Sequence, residues 1–472
     1  MLFNSFEYVL FLVLVFLAFW AVVRYRMVRL VLLLVASYLF YMGWNATFVL
    51  LIIASTVADY YCGLWMGVVE NPRGRTALLA ASLVYNLGVL GVFKYADFFI
   101  GATTEALALG GIEVTPHYLR LVLPAGISFY TFQSLSYTID VYRRKIEPSR
   151  SFVEFATYVA FFPQLVAGPI VRAKEFMPQF RHTPRLSRQQ AGEALFLILV
   201  GMLKKVVVAD HLAADYLDQV FDDPMTHSSA EAWLAIYGYS WQLYGDFSGY
   251  TDIARGSAKL FGFELPENFS RPWRSTGPIE FWRTWHMTLG RWVQDYIYVP
   301  LGGSKKGRAR TYINLAVCFF AVGIWHGAGW AYVIFALMQS IGVTVNRIWR
   351  DIWKVKGPPP FGPKAIGLNV LTHIFFALSW SVFRPASLGH MHDLHHQLIA
   401  GEWWPVQIGP WSWVVLVGMP VLHFTPVEWV DRAQRALGRA PVLAQVLVAA
   451  IVAALVAHVS SHQPTPFIYF QF

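Results

Sequence analysis

The feature that most constrains this chain is its recurrence of apolar segments, several near or above about 18 residues, the length that crosses a hydrocarbon core of about 30 Å. They fall near 5–23, 30–43, 47–69, 77–100, 118–141, 153–170, 193–209, 230–245, 312–346, 366–383, 411–424 and 441–459. The segment at 312–346 is long enough for a bent pair, so the pattern predicts about eleven to thirteen membrane passes or half-passes. The expected fold class is all-α, a polytopic integral membrane protein of about 11–13 transmembrane or re-entrant helices. One membrane-embedded domain is expected over 1–472. Its N-terminal transmembrane helices lie at 1–145, a core with re-entrant and interfacial helices at 146–346, and C-terminal transmembrane helices at 347–472.

Composition agrees. The chain is 56% hydrophobic and only 14% charged, with a mean hydropathy of +0.45, whereas a soluble chain of this size carries far more charge. Many of its 19 tryptophans sit at the ends of apolar runs, as interfacial anchors do. The net charge of +9 collects in short loops, which the positive-inside rule explains better than nucleic-acid binding does. Cys62 and Cys318 both lie inside apolar segments and suggest neither a disulfide framework nor a zinc site. The first segment has no charged leader and no small-residue cleavage site, and is expected to be retained as a helix.

The loops orient the helices. Arg24, Arg26 and Arg29 follow the first segment, Arg73 and Arg75 the third, and Arg143, Arg144 and Lys145 the fifth. Alternation puts all three clusters on one side, which the charge bias makes cytoplasmic. Residues 153–170 break the alternation, because a second basic run (Arg172, Lys174, Arg181, Arg185 and Arg188) follows them. With Pro163, Gly168 and Pro169 inside, they predict a re-entrant hairpin, tolerated only where buried in protein or lining a cavity. A cavity is expected nearby. Residues 246–310 mix charge, Pro and Gly with Trp and Tyr, which predicts short interfacial or half-buried helices rather than a linker. Lys305, Lys306, Arg308 and Arg310 close that stretch.

Two histidines stand out for chemistry. His286 ends Phe281-Trp282-Arg283-Thr284-Trp285-His286, and His326 lies in Gly323-Ile324-Trp325-His326-Gly327-Ala328-Gly329. If its helix begins near Thr311, His326 is about 22 Å along it, near mid-membrane depth. An ionisable group there is costly and points to function, and the glycines allow close approach. A neutral imidazole can take the proton of an attacking hydroxyl, and desolvation favours that neutral form. A histidine hydrogen-bonded between helices is the structural alternative. Further polar candidates are Asp246, Asp252, Glu267, Asn268, Glu280, Arg283 and Asp295. Glu280 and Arg283 are spaced for an ion pair. Lys204 and Lys205 are expected to snorkel to the interface, where donor phosphates could meet them. His390, His392, Asp393, His395 and His396 lack the HExxH pattern and are expected to be a solvated amphipathic turn, not a metal site. No P-loop, dinucleotide fingerprint or GxSxG elbow is present, and no Ser or Cys has an evident base beside it, so no covalent enzyme intermediate is expected.

At these residues the sequence resembles the membrane-bound O-acyltransferase family, most of all its bacterial alginate O-acetyltransferase branch. The central match is DFSGYTDIARG from Asp246, GFELPENFSRPW from Gly262, EFWRTWHMTLGRWVQDYIYVPLGG from Glu280 and GIWHGAGW from Gly323. Supporting pieces are ISFYTFQSLSYTIDVYR from Ile127, FFPQLVAGPIVR from Phe161, GMLKKVVVAD from Gly201 and the closing FIYFQF. Trp273, Thr284 and Gln294 depart from the usual Tyr, Arg and Arg. The resemblance implies that His326 is the catalytic histidine and His286 the second important polar residue, in a funnel-shaped core where a cytoplasmic donor meets an acceptor from the far side.

The expected activity is O-acetyl transfer across the inner membrane to an exported polysaccharide such as alginate, with acetyl-CoA as donor substrate and no tightly bound cofactor. His326 is expected to be the base, with His286 orienting a substrate or stabilising the oxyanion, and Trp325, Asp246, Asn268, Arg283 and Asp295 contacting substrate. A periplasmic or membrane-anchored acetyltransferase is the expected partner. Two alternatives stand beside this: D-alanyl transfer to teichoic acid from a carrier-protein thioester, and a transporter without a catalytic base, although no internal repeat supports the latter.

Overall fold

The computed structural model describes residues 1–385, 387–459 and 466–468, which are helical and contain no strand. The helices are α1 Phe6–Ala21, α2 Arg26–Met42, α3 Val49–Val68, α4 Pro72–Leu109, α5 Ile127–Tyr142, α6 Phe152–Ala160, α7 Phe162–Leu165, α8 Ala173–Phe176, α9 Arg188–Met202, α10 Asp218–Asp222, α11 Ser229–Leu260, α12 Pro278–Thr284, α13 Met287–Val293, α14 Arg308–His326, α15 Trp330–Ile352, α16 Pro363–Trp380, α17 Leu388–Ala400, α18 Pro410–Phe424, α19 Val427–Arg439 and α20 Val442–Val459. By length and hydropathy the spans are Ala46–Val68, α4, α15 and α20, and α18 with α19 forms a pair bent by 93°. The other apolar segments are realised as shorter or broken helices. The fold is an all-α polytopic membrane protein.

The chain forms two compact units. The first comprises Met1–Leu186 with Ser257–Pro266, and the second Ser187–Gly256 with the described residues from Glu267 on. In the first, buried arginines close helix ends. Arg29, 1% exposed, donates to the carbonyls of Val23, Phe180 and His182 at 2.6–2.9 Å. Arg75 donates to those of Met66, Val141 and Tyr142. Carbonyls in the last turn of a helix have no partner within it, and in lipid nothing else can satisfy them. These bonds tie two of the early basic loops to neighbouring helix ends.

The chain folds back on itself over the stretch read as a hairpin. Its α6 begins where Glu154 pairs with Arg26, and by Phe180 the chain has returned to Arg29. The nine residues of α6 span only about 13 Å, too short to cross a hydrocarbon core. The helix breaks at Phe161, whose φ and ψ are −53° and 109°, and the break is covered by the Phe261 and Phe263 rings. Asp59, on α3, lies fully buried and accepts from Ser82 at 2.6 Å and Asn86 at 3.0 Å on α4, and from Ser134 on α5. The apolar run at 118–141 is helical only from Ile127. Gly126 turns the chain at φ +72°, where any Cβ would meet the Leu165 carbonyl at 2.7 Å.

In the second unit, α9 and α11 touch backbone to backbone. A Cβ on Gly201 would lie 2.6 Å from the Gly249 carbonyl, and one on Gly245 2.9 Å from that of Lys204. Small residues allow such contact between membrane helices. The apolar segment at 230–245 continues as helix to Leu260, so Asp246 and Asp252 are interior helix residues rather than part of an interfacial stretch. After Met202 the helix widens into a π-helical stretch, Leu203–Asp210. Lys205 does not snorkel. Its side chain is 5% exposed and pairs with Asp210 and Asp246, both at 2.6 Å. Lys204 pairs with Asp252 at 2.6 Å.

Replacing Gly249 by leucine is expected to drive a side chain into the Gly201 carbonyl and lower the thermal midpoint of the purified protein, since overpacking costs about 1–3 kcal/mol even where neighbours can yield. Lys205→Met is expected to cost about 3–5 kcal/mol by leaving buried carboxylates without their cation. Adding Asp210→Asn and Asp246→Asn should then recover most of the midpoint, and no recovery would show that charge is not what the lysine supplies.

Candidate active site

The second unit builds a site around the two histidines. His326 is the last residue of α14, about 27 Å from the helix start at 1.5 Å per residue. It therefore sits at the turn of the hairpin formed with α15, further along than the sequence suggested. Glycines bring the hairpin together: a Cβ on Gly323 would be 2.4 Å from Ala336, and one on Gly327 2.2 Å from the Tyr332 ring. The imidazole is 5% exposed, with ring centroids 5.8 Å from Phe335 and 5.5 Å from Phe383. Phe335 and Phe383 lie 4.1 Å apart. These rings help to keep water away from it.

His286 stands between α12 and α13 and is 1% exposed. Its backbone is left-handed, φ 44° and ψ 52°, a conformation that costs a non-glycine residue about 1–2 kcal/mol. Backbone bonds hold it there: Met287 N–H donates to the Asn268 carbonyl at 2.9 Å, and Ser270 N–H to that of Thr284 at 2.9 Å. The Asn268 side-chain oxygen lies 3.0 Å from His286 Nδ1, and accepts from Thr288 N–H at 3.1 Å and Thr288 Oγ1 at 2.8 Å. Phe247 meets the imidazole edge-on at 4.7 Å. The Trp325 indole is 6.2 Å from His286 and 4.9 Å from His326, so one indole spans both histidines.

Aromatic packing fixes α12 against α16. Phe281 stacks on Phe376 at 3.7 Å, and Trp285 lies 4.7 Å from Trp380. Pairs of this kind contribute about 0.5–1.5 kcal/mol each beyond burial, enough in sum to offset the strain at His286.

The structure gathers His286, Asn268 and Trp325 with His326. Asp246 is committed otherwise: besides Lys205, it accepts from Ile468 N–H at 2.7 Å. Phe467 packs 5.4 Å from Phe247 and 4.8 Å from Tyr250, so the start of the closing FIYFQF docks beside the helix that carries Asp246. Tyr469 to Phe472 lie outside the described residues. Arg283 is exposed, and Asp295 is half-buried on the π-helical turn Gln294–Tyr298. Glu280 accepts from Thr276 N and Oγ1, both at 2.9 Å, so among the described residues it does not pair with Arg283. Asp252 and Glu267 both pair with Arg255. The 390–396 cluster lies on α17, a regular helix, where His395 bonds Ser381 and the Met391 carbonyl. Sequence reasoning missed Phe247, Thr288, Phe335 and Phe383. Only Thr288, two residues beyond His286, had a positional signal.

Comparison with known proteins places this geometry. The sequence profile of MBOAT, the membrane-bound O-acyltransferase family, matches residues 142–389. The chain is 36% identical over 391 residues to a probable alginate O-acetylase AlgI of Pseudomonas aeruginosa, covering 79% of this chain and 71% of that protein. To the probable alginate O-acetylase AlgI of Pseudomonas putida it is 33% identical, covering 94% of each. To the peptidoglycan O-acetyltransferase of Helicobacter pylori it is 34% identical, covering 75% and 71%. The teichoic acid D-alanyltransferase of Bacillus subtilis is 26% identical over 59% of the chain. The profile match spans both histidines, Asn268 and the hairpin that carries Trp325, and the chain thus belongs to the membrane-bound O-acyltransferase family and is an O-acyltransferase.

Proposed function

We propose that the protein moves an acetyl group from acetyl-CoA, bound on the cytoplasmic side of the inner membrane, toward an exported polysaccharide such as alginate. The observation that carries the reading is the pair of buried histidines joined by one indole, inside a chain whose relatives named above are polysaccharide or peptidoglycan O-acetylating proteins. A ring nitrogen of His326 takes the proton of the acceptor hydroxyl as its oxygen attacks the thioester carbonyl carbon. The carbon–sulfur bond then breaks, and the thiolate leaves and takes up a proton. A base so placed contributes about 10²–10⁴-fold. The last turn of α14 supports it, since a helix C-terminus favours the imidazolium that forms. Lys305, Lys306, Arg308 and Arg310, at the start of that helix, supply a cationic approach for an anionic donor. A second acetyltransferase outside the membrane would complete delivery to the polymer.

D-alanyl transfer is the second reading, favoured by the match to teichoic acid D-alanyltransferases. The higher identity and fuller coverage of the O-acetylating relatives favour acetyl.

In a deletion strain complemented at matched membrane levels, His326→Ala is expected to leave the exported polysaccharide without ester-linked acetate where wild type restores it. Full restoration by His326→Ala would remove the general-base assignment and bring a different catalytic residue forward. Inverted membrane vesicles given radiolabelled acetyl-CoA are expected to transfer label, and right-side-out vesicles are not. Transfer only from a carrier-protein thioester would favour D-alanyl-type chemistry.

A further inference from the structure

We infer that Asn268 is a positioning residue that fixes the protonation geometry of His286, leaving Nε2 as a hydrogen-bond acceptor toward the reaction; this rests on the acyl-transfer reading above. The argument begins with Thr288. Its backbone N–H can only donate, so the Asn268 atom 3.1 Å away is the amide oxygen and not the nitrogen. That orientation, which diffraction often leaves open for an asparagine, is here set by chemistry. The Thr288 hydroxyl, 2.8 Å from the same oxygen, agrees with it.

The same oxygen lies 3.0 Å from His286 Nδ1. An amide oxygen carries no hydrogen, so the hydrogen of this contact belongs to Nδ1. In the neutral ring Nε2 then carries the lone pair. All three residues are at most 3% exposed, so water does not compete for these bonds. The backbone makes the arrangement stiff, because the Asn268 carbonyl also holds Met287 N–H and with it the left-handed turn at His286.

The consequence divides the labour of the two histidines. A neutral His286 with its hydrogen on Nδ1 cannot donate from Nε2, so it does not stabilise an oxyanion. It accepts, and the substrate group that meets it is an O–H or N–H donor. This removes one of the two roles the sequence left open for His286 and retains the orienting one. Asn268 contacts no reacting atom in this scheme. It acts through His286, much as a triad carboxylate orients its imidazole.

The test uses full-length protein with ¹⁵N-labelled histidine in lipid nanodiscs, with His286→Gln identifying the resonances. The wild type is expected to show a protonated Nδ1 and an unprotonated Nε2. Asn268→Asp should preserve this pattern, because a carboxylate oxygen accepts the same bonds, whereas Asn268→Leu should give signals of both tautomers. In inverted vesicles with radiolabelled acetyl-CoA, Asn268→Leu is expected to lose about 10²-fold or more in transfer. Asn268→Asp should retain transfer at alkaline pH and lose it at a higher pH than wild type does, because the added negative charge favours the imidazolium. If Asn268→Leu leaves Nδ1 protonated, or if both variants lose activity alike with an unshifted pH profile, Asn268 is merely structural and the inference fails. Activity in His326→Ala would instead remove the general-base role proposed for His326 and leave the resonance assignment standing.

Discussion

Every polar group this chain takes out of water must find its partner inside the protein, and that requirement shapes both the fold and the site. A bilayer offers nothing to an unpaired carbonyl or cation. Arg29 and Arg75 answer it by donating to carbonyls beside helix ends. Asp59 answers it with donors from three helices. Lys205 answers it with two carboxylates and the Pro466 carbonyl. None of these pairs is a surface ion pair, whose value would be small. Each is costly to break, because the surviving partner has no water to turn to.

The same rule explains how the site is held. His286 and His326 come from elements 40 residues apart in sequence, and neither lies in the middle of a regular helix. One sits in a strained turn and the other at a helix end. Both positions expose backbone groups that a helix interior would satisfy, so the surroundings supply the bonds. Asn268 does this for the His286 turn, with its carbonyl and its side-chain oxygen. At His326 the close hairpin allowed by Gly323 and Gly327 brings α15 and its Phe335 against the ring. Rigid support of this kind is what a catalytic imidazole needs, since small misplacements of reacting groups are expensive.

Much of this could be read from sequence because hydropathy and loop charge act locally. The apolar runs, the early basic clusters and the Pro163–Pro169 break each state their own consequence, and the structure bears out the helices and the helix break after α6. His326 was legible because Trp-His-Gly sits in an apolar run where a charge is out of place, and His286 because Trp-His-Met lies in the aromatic, charge-bearing stretch 246–310. The failures share a cause. Lys204 and Lys205 read as interfacial because their carboxylates lie 5 to 48 residues away. Asp246 read as a substrate contact because nothing local reveals that Ile468 bonds to it. The helix beyond residue 245 was hidden by its glycines, which read as breakers and serve as contact surface for α9.

Trp325 binds these strands together. It precedes His326 in sequence and packs beside His286 in space, so one ring lies between the two histidines. Phe247 also packs against His286, and Phe467 rests on Phe247. The packing around His286 thus runs from the hairpin through the indole to α11 and the closing segment, all within one unit. An imidazole enclosed in this way cannot turn to exchange its nitrogens without displacing several large rings. Its chemistry is therefore decided by which nitrogen faces Asn268 when the protein folds.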